Sequence, residues 1–327
     1  PYSIFSPALA KNTIAVGGTG NGIWANSIYW NSSRGPTQDL RIKPNVMAPG
    51  QGIISADAAT TNGYRSGAGT SYAVAVANGS VALIRQYLLA GFYPSGTENP
   101  ADSIHYQSAA LLRAMTIVSC DPNIGSYVVP DSNIGWGRID IDSVLYFDGD
   151  TRKLMIIDDT IGVHTGQAVM DSFVVNSNIP LRMCLAWSDT AAAPNANSTL
   201  VNDLNLELTA PGGTYYRGNQ YSGGHSISNP ADWDDRNVEE CVRVEDPEPG
   251  TWYITVSGQN IPFGPQPFAY AITGDIEKIV GIEEGYETAI PRATVNVYTS
   301  ITRGRIHFQI TLPAATDVLA KLMDVSG

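Results

Sequence analysis

The chain has 327 residues, too many for one ordinary core, so two or three domains are the expected organisation. With 43% hydrophobic and 15% charged residues it reads as globular, and nothing in it reaches the ~18 uninterrupted apolar residues of a membrane span. The net charge of -12 argues against a nucleic-acid partner, because phosphate binding needs clustered Lys and Arg, and suits an extracellular protein that collects calcium.

Up to about Asp150 the pattern alternates strands and helices. "NTIAVGG" (Asn12 to Gly18) and "GIISADA" (Gly52 to Ala58) read as short buried strands bounded by glycine and proline. The helix that follows carries small residues on nearly every side (Ala73, Ala75, Ala77, Gly79, Ala82) and is expected to be buried all round. A second helix, Ala101 to Ser119, reads as amphipathic and outer. This alternation predicts a parallel sheet with helices on both faces. From Lys153 to Ile276 the helical period vanishes. Alternating runs such as "LRMCLAWSD", "LNLELTAPGG", "NVEECVRVEDP", "GTWYITVSG" and "FAYAITGD", cut by Pro, Gly and Asn turns, predict an antiparallel β-sandwich or jelly roll. An acidic connector follows, and Ala293 to Gly327 begins a further, truncated β module. The expected division is 1–150, 151–276, a linker at 277–292, and 293–327, with no internal repeat.

Cys120, Cys184 and Cys241 lie far apart with no C-x-x-C spacing, so a zinc or redox motif is not expected. Three cysteines allow at most one bridge, and buried free thiols are the expectation. The chain opens on Pro1 and closes on "LMDVSG", and it reads as a piece of a longer protein.

Ser71 stands directly after Gly-Ala-Gly-Thr and ahead of an apolar helix. Taken alone, it reads as a helix N-cap. Its surroundings change that reading. "SPALAKNTIAVGG", "SSRGPTQDLRIKPNVMAPGQGIISA" and "GTSYAVAVANG" occur in this order, followed by "GWGRIDI". With these blocks residues 1–150 resemble the subtilisin-like serine proteases, peptidase family S8. The resemblance implies that Ser71 is the nucleophile, that its own N–H helps to form the oxyanion hole, and that Gly69 and Thr70 shape the site. A helix N-terminus is a sound place for such a serine, because its dipole and free N–H groups favour developing negative charge. Three positions depart from the family: Tyr72 replaces a usual methionine, Ala75 a proline, and Asn45 an aspartate. None performs chemistry, and all three read as packing variants.

In that family the triad runs Asp, His, Ser along the chain. His105, His164, His225 and His307 all follow Ser71, and none sits in a His-Gly-Thr-His setting. The activating Asp and His, and the oxyanion side-chain amide, are therefore expected in a preceding N-terminal part of the same catalytic domain. The fragment alone is expected to be inactive.

"LAWSDTAAAPNANSTLVNDLNLELTAPGGTYYRGN" and "NVEECVRVEDPEPGTWYITVSGQNIPFGPQPFAYAI" resemble the C-terminal jelly-roll domain of large alkaline bacterial subtilisins, which is similar to the P domains of kexin-like proteases. That resemblance implies structural calcium, with Asp189 and Asp203 as the candidate ligands. Residues 293–327 resemble the start of a type IX secretion sorting module, which implies export to the bacterial surface or beyond. The function expected is a secreted endopeptidase acting on protein or peptide substrates through an acyl-enzyme on Ser71. The alternative is a catalytically dead platform carrying a β-sandwich binding module.

Overall fold

The computed structural model describes residues 2–279, 294–302 and 305–311. The chain divides into two compact units, Pro1–Ile279 and Val280–Gly327. The first unit opens with two short parallel strands, β1 (Val16–Thr19) and β2 (Val46–Pro49). An antiparallel hairpin follows, β3 (Gln51–Ala56) and β4 (Tyr64–Ala68), and feeds directly into helix α1 (Thr70–Leu89). On the free side of β2, Met47 receives two backbone bonds. Its N–H donates to Gly137 and its carbonyl accepts from Ile139, which builds "GWGRIDI" into the sheet.

Three sequence expectations need correction here. The β3–β4 hairpin is mostly exposed, with Ile54 72% exposed, because little beyond the Tyr72 side chain packs over it among the described residues. Helix α1 is not buried all round: Ala73, Ala77, Ile84, Tyr87 and Leu88 face the core while Val74 and Leu83 remain about half exposed. Helix α2 (Ala109–Val118) is shorter than expected, and eight of its ten residues are buried. It starts at Ser108, whose hydroxyl accepts from the Leu111 N–H at 3.0 Å, as an N-cap does. The face expected to meet solvent is covered by a sheet.

That sheet belongs to the β-rich part of the same unit. In chain order come β5 (Lys153–Val163), β6 (Ala168–Val175), β7 (Leu181–Ala186), β8 (Asp203–Thr209), β9 (Tyr215–Arg217), β10 (Tyr221–Ser222), β11 (His225–Ser226), β12 (Glu239–Val244), β13 (Gly250–Asn260), β14 (Gln266–Gly274) and β15 (Ile276–Lys278). Four strands form one sheet in the order β12-β7-β14-β5, and five form another in the order β15-β6-β13-β8-β9, with antiparallel pairing throughout. Period-two alternation sends Leu204, Leu206 and Leu208, Trp252, Ile254 and Val256, and Met183 and Leu185 into one core shared by both sheets. The other face of the four-stranded sheet presents Cys184, Ala186, Ala269 and Ala271, and these share a second core with α2. Such small side chains let the helix backbone come close.

The second unit contains an antiparallel pair, β16 (Thr294–Thr302) and β17 (Arg305–Thr311). The expected linker falls largely outside the described residues, and so does most of the expected sorting module.

Candidate active site

Ser71 is not a cap. The N-cap is Gly69, and Ser71 is the second helical residue of α1, with its side chain exposed. Gly69 has φ +152°, a conformation L side chains rarely adopt, and this sharp turn carries the hairpin into the helix. Its N–H donates to the Gly50 carbonyl at 2.7 Å, and its carbonyl accepts from the Tyr72 N–H at 3.0 Å. A Cβ on Gly18 would lie 3.7 Å from Thr70, so the carboxyl ends of β1 and β2 meet the amino end of α1 at this point. In α/β sheets this is where ligands bind. The first N–H groups of α1 have no acceptor within the helix and carry the positive end of its dipole. Gly67 answers a separate need. A Cβ there would stand 2.2 Å from the Tyr72 hydroxyl, so the large residue in the usual methionine position requires glycine opposite.

The histidines sit on other elements. His105 is exposed in the segment leading to α2, and His164 is exposed in the turn between β5 and β6. His225 lies on β11 with Nδ1 3.3 Å from Glu245, and His307 lies on β17 in the second unit.

The candidate calcium ligands part company. Asp189 is buried, and both of its oxygens are used: Oδ2 meets Lys11 Nζ at 2.6 Å and the Val201 N–H at 2.8 Å, and Oδ1 accepts the Asn202 N–H at 2.9 Å. It joins the N-terminal segment to the β-rich part. Asn12 reinforces the same joint by bonding both the N–H and the carbonyl of Asp189. Asp203 differs. Its Oδ1 is buried without a hydrogen-bond partner, and burial, helped by the charges of Asp234, Asp235 and Asp189, pushes its carboxyl up to about 7. Among the described residues no group of three or more His, Cys, Asp or Glu side chains is placed to hold a metal ion.

Sequence reasoning missed the buried charges at this joint. Glu239 and Glu240 are adjacent in β12, so they point to opposite faces, yet both are buried. Glu239 faces Arg113 of α2 at 3.0 Å, an ion pair lying off the hydrogen-bond line, since neither of the two atoms makes a hydrogen bond. Glu240 Oε2 accepts the Leu206 N–H at 2.6 Å, and burial together with the nearby Asp234 pushes its carboxyl well above the usual range. Burial alone would also raise Asp39. Hydrogen bonds from Arg41, Thr199 and Thr37 outweigh it and hold that carboxyl well below its ordinary value. The sequence signal was the pair of carboxylates opening a strand that carries Cys241, Val242 and Val244.

Residues 1–137 match the model of the subtilase family, peptidase S8. Two Dictyostelium discoideum proteins named serine protease/ABC transporter B family protein are similar over a longer stretch. TagA is 29% identical over 266 residues, covering 74% of this chain and 15% of that protein. TagD is 26% identical over 314 residues, covering 76% of this chain and 17% of that protein. The likeness therefore extends beyond residue 137 into the β-rich part, and the chain spans less than a fifth of either relative. Among the described residues no helix is long and apolar enough to cross a membrane.

Proposed function

Because residues 1–137 belong to the subtilase family of serine proteases, we propose that the chain is part of a secreted endopeptidase that cleaves protein substrates through an acyl-enzyme on Ser71. The observation that carries this reading is the exposed Ser71 in the first turn of α1, set at the carboxyl ends of two parallel strands. The Ser71 oxygen attacks the substrate carbonyl, and the free N–H groups of that first turn receive the oxyanion. A serine hydroxyl is a weak nucleophile until a base accepts its proton. His105, His164 and His225 lie on segments other than the first turn of α1 and His307 lies in the second unit, so on this reading the histidine and aspartate of the triad belong to a part of the protein outside these 327 residues.

Replacing Ser71 by alanine in the full-length protein is expected to reduce peptide hydrolysis to background with an unchanged melting temperature. A Ser71→Ala protein that keeps most of its activity would overturn the assignment. Residues 1–327 alone are expected to give no adduct with a fluorophosphonate, and the full-length protein a stoichiometric one. Full-length protein that stays unlabelled points instead to a dead protease platform carrying the β-rich part as a binding module.

The finer architecture follows the same reading. The strand orders β12-β7-β14-β5 and β15-β6-β13-β8-β9 fit a jelly roll with one added edge strand, and the parallel β1–β2 pair fits part of a subtilisin-like sheet. Calcium stays in the proposal as a structural ion of the β-rich part; of the two candidate ligands only Asp203 keeps a buried, unpartnered oxygen, whereas Asp189 is fully engaged with Lys11 and backbone N–H groups. A hard cation would displace the proton that Asp203 retains below about pH 7. Calcium at about 100 times its dissociation constant should add about 2.7 kcal/mol, and equal melting temperatures with calcium and with a chelator would remove the metal. Export to the cell surface, with 293–327 as the sorting signal, completes the proposal.

A further inference from the structure

The three cysteines, far apart in sequence, are all buried as free thiols, as expected, in the core that α2 shares with the four-stranded sheet. Cys184 on β7 and Cys241 on β12 are directly opposed in the antiparallel register. The kind of opposition matters, because antiparallel pairs alternate between hydrogen-bonded and non-hydrogen-bonded positions. The Cys241 N–H donates to the Asn219 side-chain oxygen at 2.8 Å, and its carbonyl accepts from the Asn219 N–H at 2.9 Å. Both backbone groups thus point away from β7, which makes Cys184 and Cys241 a non-hydrogen-bonded pair. In such pairs the Cα atoms are about 4.5 Å apart and the side chains lean together. A disulfide needs a Cα separation of roughly 4.4–6.8 Å. Cys120, just beyond α2, has no such opposed partner; its thiol donates to the Thr116 carbonyl at 3.4 Å, and that of Cys184 to the Leu185 carbonyl at 3.5 Å.

We infer that Cys184 and Cys241 form the single disulfide of the chain, stapling the edge strand β12 to β7 beneath α2, with Cys120 left as a free thiol. The step is a two-electron oxidation. The two thiols lose two protons and two electrons, and an external disulfide, small-molecule or protein, is reduced to two thiols. The thiolate is the attacking species, and burial pushes the Cys241 and Cys120 thiols well above their ordinary values. Exchange is therefore suppressed once α2 has docked. The bond forms while the sheet is still open to its oxidant, and afterwards it resists reductant and is not scrambled by Cys120.

The test is to refold residues 1–327 in a glutathione redox couple, then alkylate with iodoacetamide in denaturant without reductant. One alkylated site, at Cys120, and a peptide linking 184 to 241 are expected. Native protein in dithiothreitol should keep the link far longer than denatured protein, and its reduction should lower the melting temperature by roughly 5–10 °C. In a Cys120→Ala variant the link should persist and no cysteine should alkylate. Three alkylated cysteines, or any link through Cys120, would overturn the inference.

Discussion

Lys43 is 1% exposed, and it holds its ammonium against two neutral oxygens, the Thr13 carbonyl at 2.6 Å and the Asn45 side chain at 2.7 Å. Burial, only partly offset by the charge of Glu239 and aided by those of Arg41 and Arg113, lowers its pKa to about 8. The unfolded chain keeps this proton up to about 10.5, so between pH 8 and 10.5 it binds more protons than the folded protein and stability rises with pH. The gain should total about 3 kcal/mol. Urea unfolding of wild type and of Lys43→Met across that window checks it: the variant should lose this slope, and equal slopes would refute the account. Asn45→Asp supplies the missing countercharge, raises the pKa of Lys43 and should flatten the slope too. Asn45 was legible in the sequence as a departure from the family, but the reading of it as a packing change was incomplete. The residue is an electrostatic partner that also accepts the Ala15 N–H at 2.8 Å. The place of Ser71 at the start of a helix was legible because its motif is local and ordered. The use of Asp189 was not, since its partner Lys11 lies 178 residues earlier and nothing near either residue announces the other.

Elements are tuned to one another rather than singly. The Gly67–Tyr72 contact couples β4 to the first turn of α1, so Gly67→Ala should cost about 1–3 kcal/mol and disturb the Ser71 turn. Adding Tyr72→Met should recover most of that loss in a chemical-denaturation comparison. If the double variant is no better than the single one, the contact is not the cause. Helix α2 and β12 are coupled by charge. Arg113→Met alone leaves Glu239 buried without its ion partner and should cost about 3–5 kcal/mol, whereas Arg113→Met with Glu239→Leu should recover most of it. Strands β7, β8, β12, β13 and β14 could be read from period two and turn residues, because alternate residues of each enter the core between the two sheets. The two helices were misjudged for a common reason. Periodicity reports which faces are apolar, but not what covers them: the four-stranded sheet covers α2, while the Val74–Leu83 side of α1 faces no described residue.

At the scale of the molecule, the expected boundary at residues 150 and 151 does not interrupt the packing. Leu154 and Ile156 of β5 lie in the same core as Leu111 and Met115 of α2. Two buried ion pairs, Lys11–Asp189 and Arg113–Glu239, and the part-buried Asp39–Thr199 hydrogen bond cross the same joint. Residues 2–279 should therefore melt in one calorimetric transition, with the van't Hoff and calorimetric enthalpies in agreement. Two separated transitions would show that the joint is weak. The Lys11–Asp189 pair also sets a clock. On a ribosome adding about 5–20 residues per second, Lys11 emerges roughly 10–35 s before its partner exists. Throughout that interval the first strands have no carboxylate to close on, and their apolar surfaces depend on whatever holds a nascent chain apart. The segment around Lys11 is thus made well before the residue that fixes it.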